Sequence, residues 1–252
     1  MNTSENPTPP PLPPKPPFQA AAPRPVPGED RFELRPMEGA HHPLAVVEAL
    51  LKSPGRILFE LRGARAATVS VALLLIAFLC LAVYGVVTGS LVGGAQIWIA
   101  PVKILLGSAL CALICLPSLF IFLCLGGDDA KLRSVAGNLL ASVSLTALLL
   151  LGFAPVAWVF SQSTDSVALM AALHLIFWAI ALAFGLRLIG GGSRTSKVWI
   201  AIYIVVCLQM MTALRPIVGK TETLLPTEKK FFLAHMVETL NGRPFPKTEP
   251  VR

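Results

Sequence analysis

Charge is scarce in this chain. Only 14% of its 252 residues are charged while 54% are hydrophobic, and the mean hydropathy is +0.69. A surface that poor in charge cannot solvate a water-soluble domain, so the composition defines a polytopic membrane protein. Catalytic signatures are missing as well: the chain has no HExxH, no GxSxG, no P-loop and no GxGxxG between a strand and a helix. The run Gly190 to Gly192 closes a helix where its dipole is negative, which makes a poor phosphate cradle. The expectation is therefore no enzyme, no catalytic residue and no cofactor.

Paired metal ligands are equally sparse. The five cysteines Cys80, Cys111, Cys115, Cys124 and Cys207 all fall in apolar segments, without a CxxC or Cys/His spacing. Cys111 and Cys115 share a helix face at i, i+4, which would suit a soft metal only if another helix supplied ligands; ordinary packing is the expected role, and no metal site is assigned. The formal charge of +7 comes without an aromatic-interleaved basic patch, so it points to membrane topology and not to nucleic acid. The first forty residues hold no apolar h-region, so membrane insertion is expected to begin at the first internal span.

Proline, in contrast, is abundant at the start. Residues 1–42, with "PTPPPLPPKPPFQAAAPRPVP", predict a disordered arm leaning to polyproline II. Its "PLPPKPP" suits either a stiff solvated spacer or a ligand for a polyproline-binding domain. Residues 43–65 predict two short amphipathic helices, the first opened by Pro43 and the second by Ser53-Pro54. With Lys52, Arg56, Arg62 and Arg65 interspersed, they read as an interfacial stub on an anionic membrane surface.

A five-helix transmembrane domain is expected over residues 66–216, with spans at roughly 67–88, 99–125, 135–161, 166–189 and 198–214, each near the ~20 residues that cross ~30 Å of hydrocarbon. The breaks "TGSLVGGAQ", "GGDDAKLRS", "SQSTD" and "GGGSRTSK" are short, which predicts that consecutive helices pack as antiparallel neighbours. Lys52, Arg56, Arg62, Arg65, Lys131, Arg133, Arg187, Arg194 and Lys197 fall on one side, so the positive-inside rule puts the N-terminus in the cytoplasm and the C-terminus outside. Residues 217–252 contain an amphipathic pattern opened by Pro226-Thr227, with Phe232, Met236 and Leu240 on one stripe, too short to span and suited to the outer interface.

Ionisable groups inside spans are costly and draw attention first. Four polar residues gather in the outer half: Lys103, Asp165, His174 and Gln209, with His174 and Gln209 roughly 12 and 8 Å below the outer ends of their spans. One reading places them around an outward-facing polar cavity for a small ligand or a proton. The other has Lys103 extending back to the headgroups, with Pro101 in the first turn of its helix, Asp165 capping a span, and His174 and Gln209 making interhelical hydrogen bonds. The second is favoured, because transporters more usually carry acidic residues at mid-membrane and internal repeats.

The stub "ALLKSPGRILFELR", with Pro54, Arg56 and Phe59 ahead of the first span, together with "PVKILLG" and "LICLPS" in the second, resembles the Yip1-domain family over residues 43 to 214. The resemblance implies an all-α integral membrane protein of the bacterial inner membrane that binds other membrane proteins or shapes membrane organisation and trafficking. Partners would be the lipid bilayer and other membrane proteins or further copies of the chain. On this basis a membrane scaffold or accessory subunit, packed through Gly107, Ala112, Gly137, Ala141, Gly152 and Ala181, is the leading expectation, and a small transporter or channel component is the alternative.

Overall fold

In the computed structural model the described residues are 34, 36–37, 42–90, 94, 96–127, 131–163, 167–189 and 194–214. Among them the structure is all-helical, in the order α1 Pro43–Lys52, α2 Pro54–Glu60, α3 Ala66–Ser90, α4 Gln96–Leu125, α5 Leu132–Ser163, α6 Val167–Leu186 and α7 Arg194–Leu214. Four of these helices, α3 to α6, are long and apolar enough to cross a bilayer, the mark of a membrane protein. α7 has 21 residues, about 32 Å at ~1.5 Å per residue, and its stretch Thr195–Met210 is apolar.

The stub forms where its prolines predict. Pro43 and Pro54 each sit in a first turn, where a missing N–H costs no hydrogen bond. The cap of α1 is His42, whose Nδ1 accepts from the Ala45 N–H at 3.0 Å, whereas the Ser53 side chain makes no capping bond. Its apolar stripe is spent on protein and not on lipid. Val46, Leu50, Ile57, Leu58 and Leu61 are buried in one core with α3 and α5, and Leu61 lies against Gly137 of α5. Only Leu44, Leu51 and Phe59 keep large exposed apolar surface on the stub. Met37 shows that the packed part of the chain begins before residue 43: it is buried, and its N–H donates to Glu60 Oε1 at 3.1 Å.

The long helices pack through small residues and hydroxyls, because a bilayer offers no hydrophobic drive between spans. Ala141, Ala147 and Ala181 are fully buried. Ser144 Oγ donates to the Leu73 carbonyl across α5 and α3 at 3.0 Å, besides its own Leu140 carbonyl at 2.8 Å. The tightest crossings lie at glycines. A Cβ on Gly85 of α3 would overlap the Cα of Pro101 in α4, and one on Gly185 of α6 would meet Thr146 Oγ1 and the Ser142 carbonyl of α5. Pro101 is thus an interior helix residue pressed on α3, six positions into α4 rather than in its first turn.

The neighbour relations follow chain order only in part. α3, α5 and α6 pack in series, and α4 lies on α3, but α7 packs chiefly on α4 rather than on α6. The reason is aromatic: Trp199 and Tyr203 of α7 are buried beside Cys111, Cys115 and Leu119 of α4, and the Trp199 Nε1–H donates to Ser118 Oγ at 3.0 Å. Two apolar cores result, one around α3 and α5 with the stub and one around α4 and α7.

Candidate functional site

Between these cores lies a cavity of about 90 Å³. Lys103 lies seven residues past the start of α4, His174 seven past the start of α6, and Tyr84 six before the end of α3. The three side chains therefore share one layer, roughly 10 Å below the same end of the bundle at ~1.5 Å per residue. All three are buried and all three line the cavity, with Ser142 and Thr146 of α5 and with Tyr203 and Cys207 of α7.

Tyr84 Oη and His174 Nδ1 are 2.7 Å apart, and the two rings meet edge to face at 5.6 Å. When the phenol donates, the neutral imidazole keeps its proton on Nε2, so the pair has one defined tautomer and one remaining donor. The backbone beneath is held too, because Thr88 Oγ1 donates to the Tyr84 carbonyl at 2.9 Å. At the deeper end Cys111 Sγ of α4 and Cys207 Sγ of α7 approach to 2.8 Å. A second helix thus does bring a cysteine to Cys111, yet among the described residues no three His, Cys, Asp or Glu side chains are grouped so as to hold a metal ion.

The four polar residues singled out in the sequence separate into distinct cases. Lys103 and His174 come together on the cavity. Lys103 is 1% exposed, so it does not reach out to a headgroup layer, which corrects the reading of this lysine as extending back to the headgroups. Its position explains why: it shares one face of α4 with Gly107 and Cys111, four and eight residues on, and all three line the cavity between helices. Gln209 is exposed on the outside of α7 and is not part of the lining. Asp165 lies outside the described residues, as do Phe232, Met236 and Leu240 of the C-terminal stripe and the proline-rich run of the arm.

On the stub, Lys52 is exposed and paired with Glu48 at 2.8 Å, Arg62 and Arg65 are exposed, and Arg56 is half-buried. Sequence reasoning missed Tyr84 and Tyr203. The signal was present: the chain has only two tyrosines, both inside apolar helices, and a buried phenol needs a hydrogen-bond partner.

The cavity therefore offers a cation, an imidazole–phenol pair and hydroxyls inside otherwise apolar walls, a set suited to binding a small polar guest or relaying a proton. Comparison of the chain with protein-family models, with curated proteins and with solved structures finds no match.

Proposed function

We propose that this chain is an integral membrane protein that works by binding and not by catalysis, and that its Lys103–His174–Tyr84 cavity takes a small polar solute or a proton in the outer half of the membrane. The observation that carries this reading is the joint burial of Lys103 and His174 in the lining of one cavity. Burying a lysine among helices is costly, and a spanning segment keeps such a group where it serves a pathway or a site. This reverses the order of preference drawn from the sequence. The test is native mass spectrometry of the protein released from membranes in mild detergent, with proton flux measured in reconstituted vesicles. Wild type and Gln209→Leu should retain a small bound species or conduct protons, and Lys103→Met and His174→Phe should lose both. If all four proteins behave alike, the reading fails.

A second reading, the scaffold or accessory subunit, is favoured by α4. Only 17% of its most apolar stretch is buried within the protein, against 44 to 50% for α3, α5 and α6. A helix left that open has room for another spanning segment. Co-purification of a second membrane protein, released by polar substitutions at the exposed Leu106, Leu113 and Ile121, would support it. Membership of a Yip1-domain-like family belongs with this reading and rests on the pattern over residues 43 to 214.

The proposed topology has α7 as a fifth span, the N-terminus in the cytoplasm and the C-terminus outside, in the inner membrane of a bacterium. Lys52, Arg62, Lys131 and Arg133, which gather at the stub end of the bundle, support that orientation by their charge.

A further inference from the structure

The bundle end opposite the Lys103 cavity carries a second, larger hollow. It is a groove of about 700 Å³ where α2 and the following turn meet the C-terminal ends of α4 and α6 and the first turns of α5 and α7. That volume falls within the range of small-ligand sites. Two kinds of surface line it. Leu58, Leu119, Leu123, Leu188 and Ile189 supply an apolar wall, while Arg62, Lys131 and Arg133 supply three cationic groups from two separate chain segments. All three cations are exposed. The first turn of α5 adds its positive dipole end, with Lys131 immediately before it.

One atom in this groove is unexplained. Asn138 Oδ1 is buried and has no hydrogen-bond partner among the described residues. Leaving an amide oxygen unsatisfied is unfavourable, so a guest with a hydroxyl donor fits where Asn138 lines the groove. Basic hollows between spans at the positively charged end are also the places where anionic lipid headgroups are held.

We propose that this groove is a binding site for one anionic phospholipid with a hydroxylated, glycerol-type headgroup, drawn from the leaflet on the stub side. Arg62, Lys131 and Arg133 receive the phosphate, Asn138 Oδ1 accepts from a headgroup hydroxyl, and the acyl chains leave along Leu119 and Leu123. A lipid fits better than a free anion because the apolar wall adjoins the cations directly. Asp128 and Asp129, between α4 and α5, lie outside the described residues. The proposal does not depend on the Lys103 cavity, which lies at the other end.

The experiment uses the full chain, purified in mild detergent and stripped of lipid. Phosphatidylglycerol, phosphatidic acid, phosphatidylcholine and inorganic phosphate are each titrated, with native mass spectrometry and the thermal midpoint as readouts. Phosphatidylglycerol should bind as a single molecule and raise the midpoint, and phosphatidylcholine and inorganic phosphate should do neither. Each removed cation should weaken binding about fivefold, so that Arg62→Gln with Lys131→Gln and Arg133→Gln together weakens it roughly a hundredfold. If the triple variant fails to fold, Arg133→Gln alone gives the same readout. Lys52→Gln, a basic residue outside the groove, should bind as wild type does, and an equal loss there would mean general surface charge and overturn the site. Equal stabilisation by inorganic phosphate would overturn the lipid as occupant. Asn138→Leu should erase the preference for phosphatidylglycerol over phosphatidic acid, and an unchanged preference would overturn the hydroxyl contact.

Discussion

Tyr84 is the residue on which the cavity's geometry turns. Removing its hydroxyl leaves His174 Nδ1 without its 2.7 Å partner while the ring packing stays. Interhelical hydrogen bonds in membranes contribute about 0.6 to 2 kcal/mol, so Tyr84→Phe should lower unfolding stability in detergent by about 1 kcal/mol. Gln209→Leu, on the exposed side of α7, should leave it unchanged. Glycines divide the same way. Gly85→Ala places a methyl on the backbone of Pro101 and Gly185→Ala on that of Ser142, so each should cost about 1 to 3 kcal/mol and loosen its crossing. Gly152→Ala should be neutral or slightly stabilising, since nothing lies within 4 Å of the added carbon. Small residues were legible in the sequence as packing material, and Ala141 and Ala181 are fully buried. Which of the glycines sit at a crossing was not legible, because that depends on helix rotation. Gly152 faces outward, while Gly85 and Gly185 carry the closest approaches.

At the scale of elements, the stub is the piece whose role changed most. Its two helices and their proline starts were readable from local chemistry. That its stripe meets α3 and α5 was not, since an amphipathic helix looks the same whether lipid or protein covers it. Leu50 is 1% exposed, so Leu50→Ala should cost about 2 to 5 kcal/mol of docking and sharply raise amide hydrogen exchange across α1. The neighbouring Glu48–Lys52 pair should matter little. Its hydrogen bond to Lys52, and then that residue's charge, hold the Glu48 carboxyl below its ordinary value of 4.5, so its small contribution is present above that pH and fades as acid protonates it. Glu48→Gln should therefore leave exchange in α1 nearly unchanged at neutral pH.

For the whole molecule, the proposed orientation has a direct consequence. Epitope tags at the two termini of the full chain should fall on opposite sides of the membrane, with only the N-terminal tag protected from protease added to spheroplasts. Two tags with the same protection would make α7 a helix that does not cross.

The sequence by itself determined the class of this protein and its helices. Hydropathy acts locally, and once backbone groups enter hydrocarbon they must bond within their own helix, so long apolar runs have one outcome. Only tertiary structure decided which polar groups meet. Lys103 and His174 lie 71 positions apart in the chain (174 minus 103), and whether each faces lipid, headgroup or neighbour is set by the rotation of its helix. Those rotations are fixed by contacts such as Gly85 on Pro101 and Trp199 on Ser118, which no single segment contains. The same contacts turn Gln209 outward and bring Tyr84 in, forming the cavity from residues whose spacing along the chain gave no sign of it.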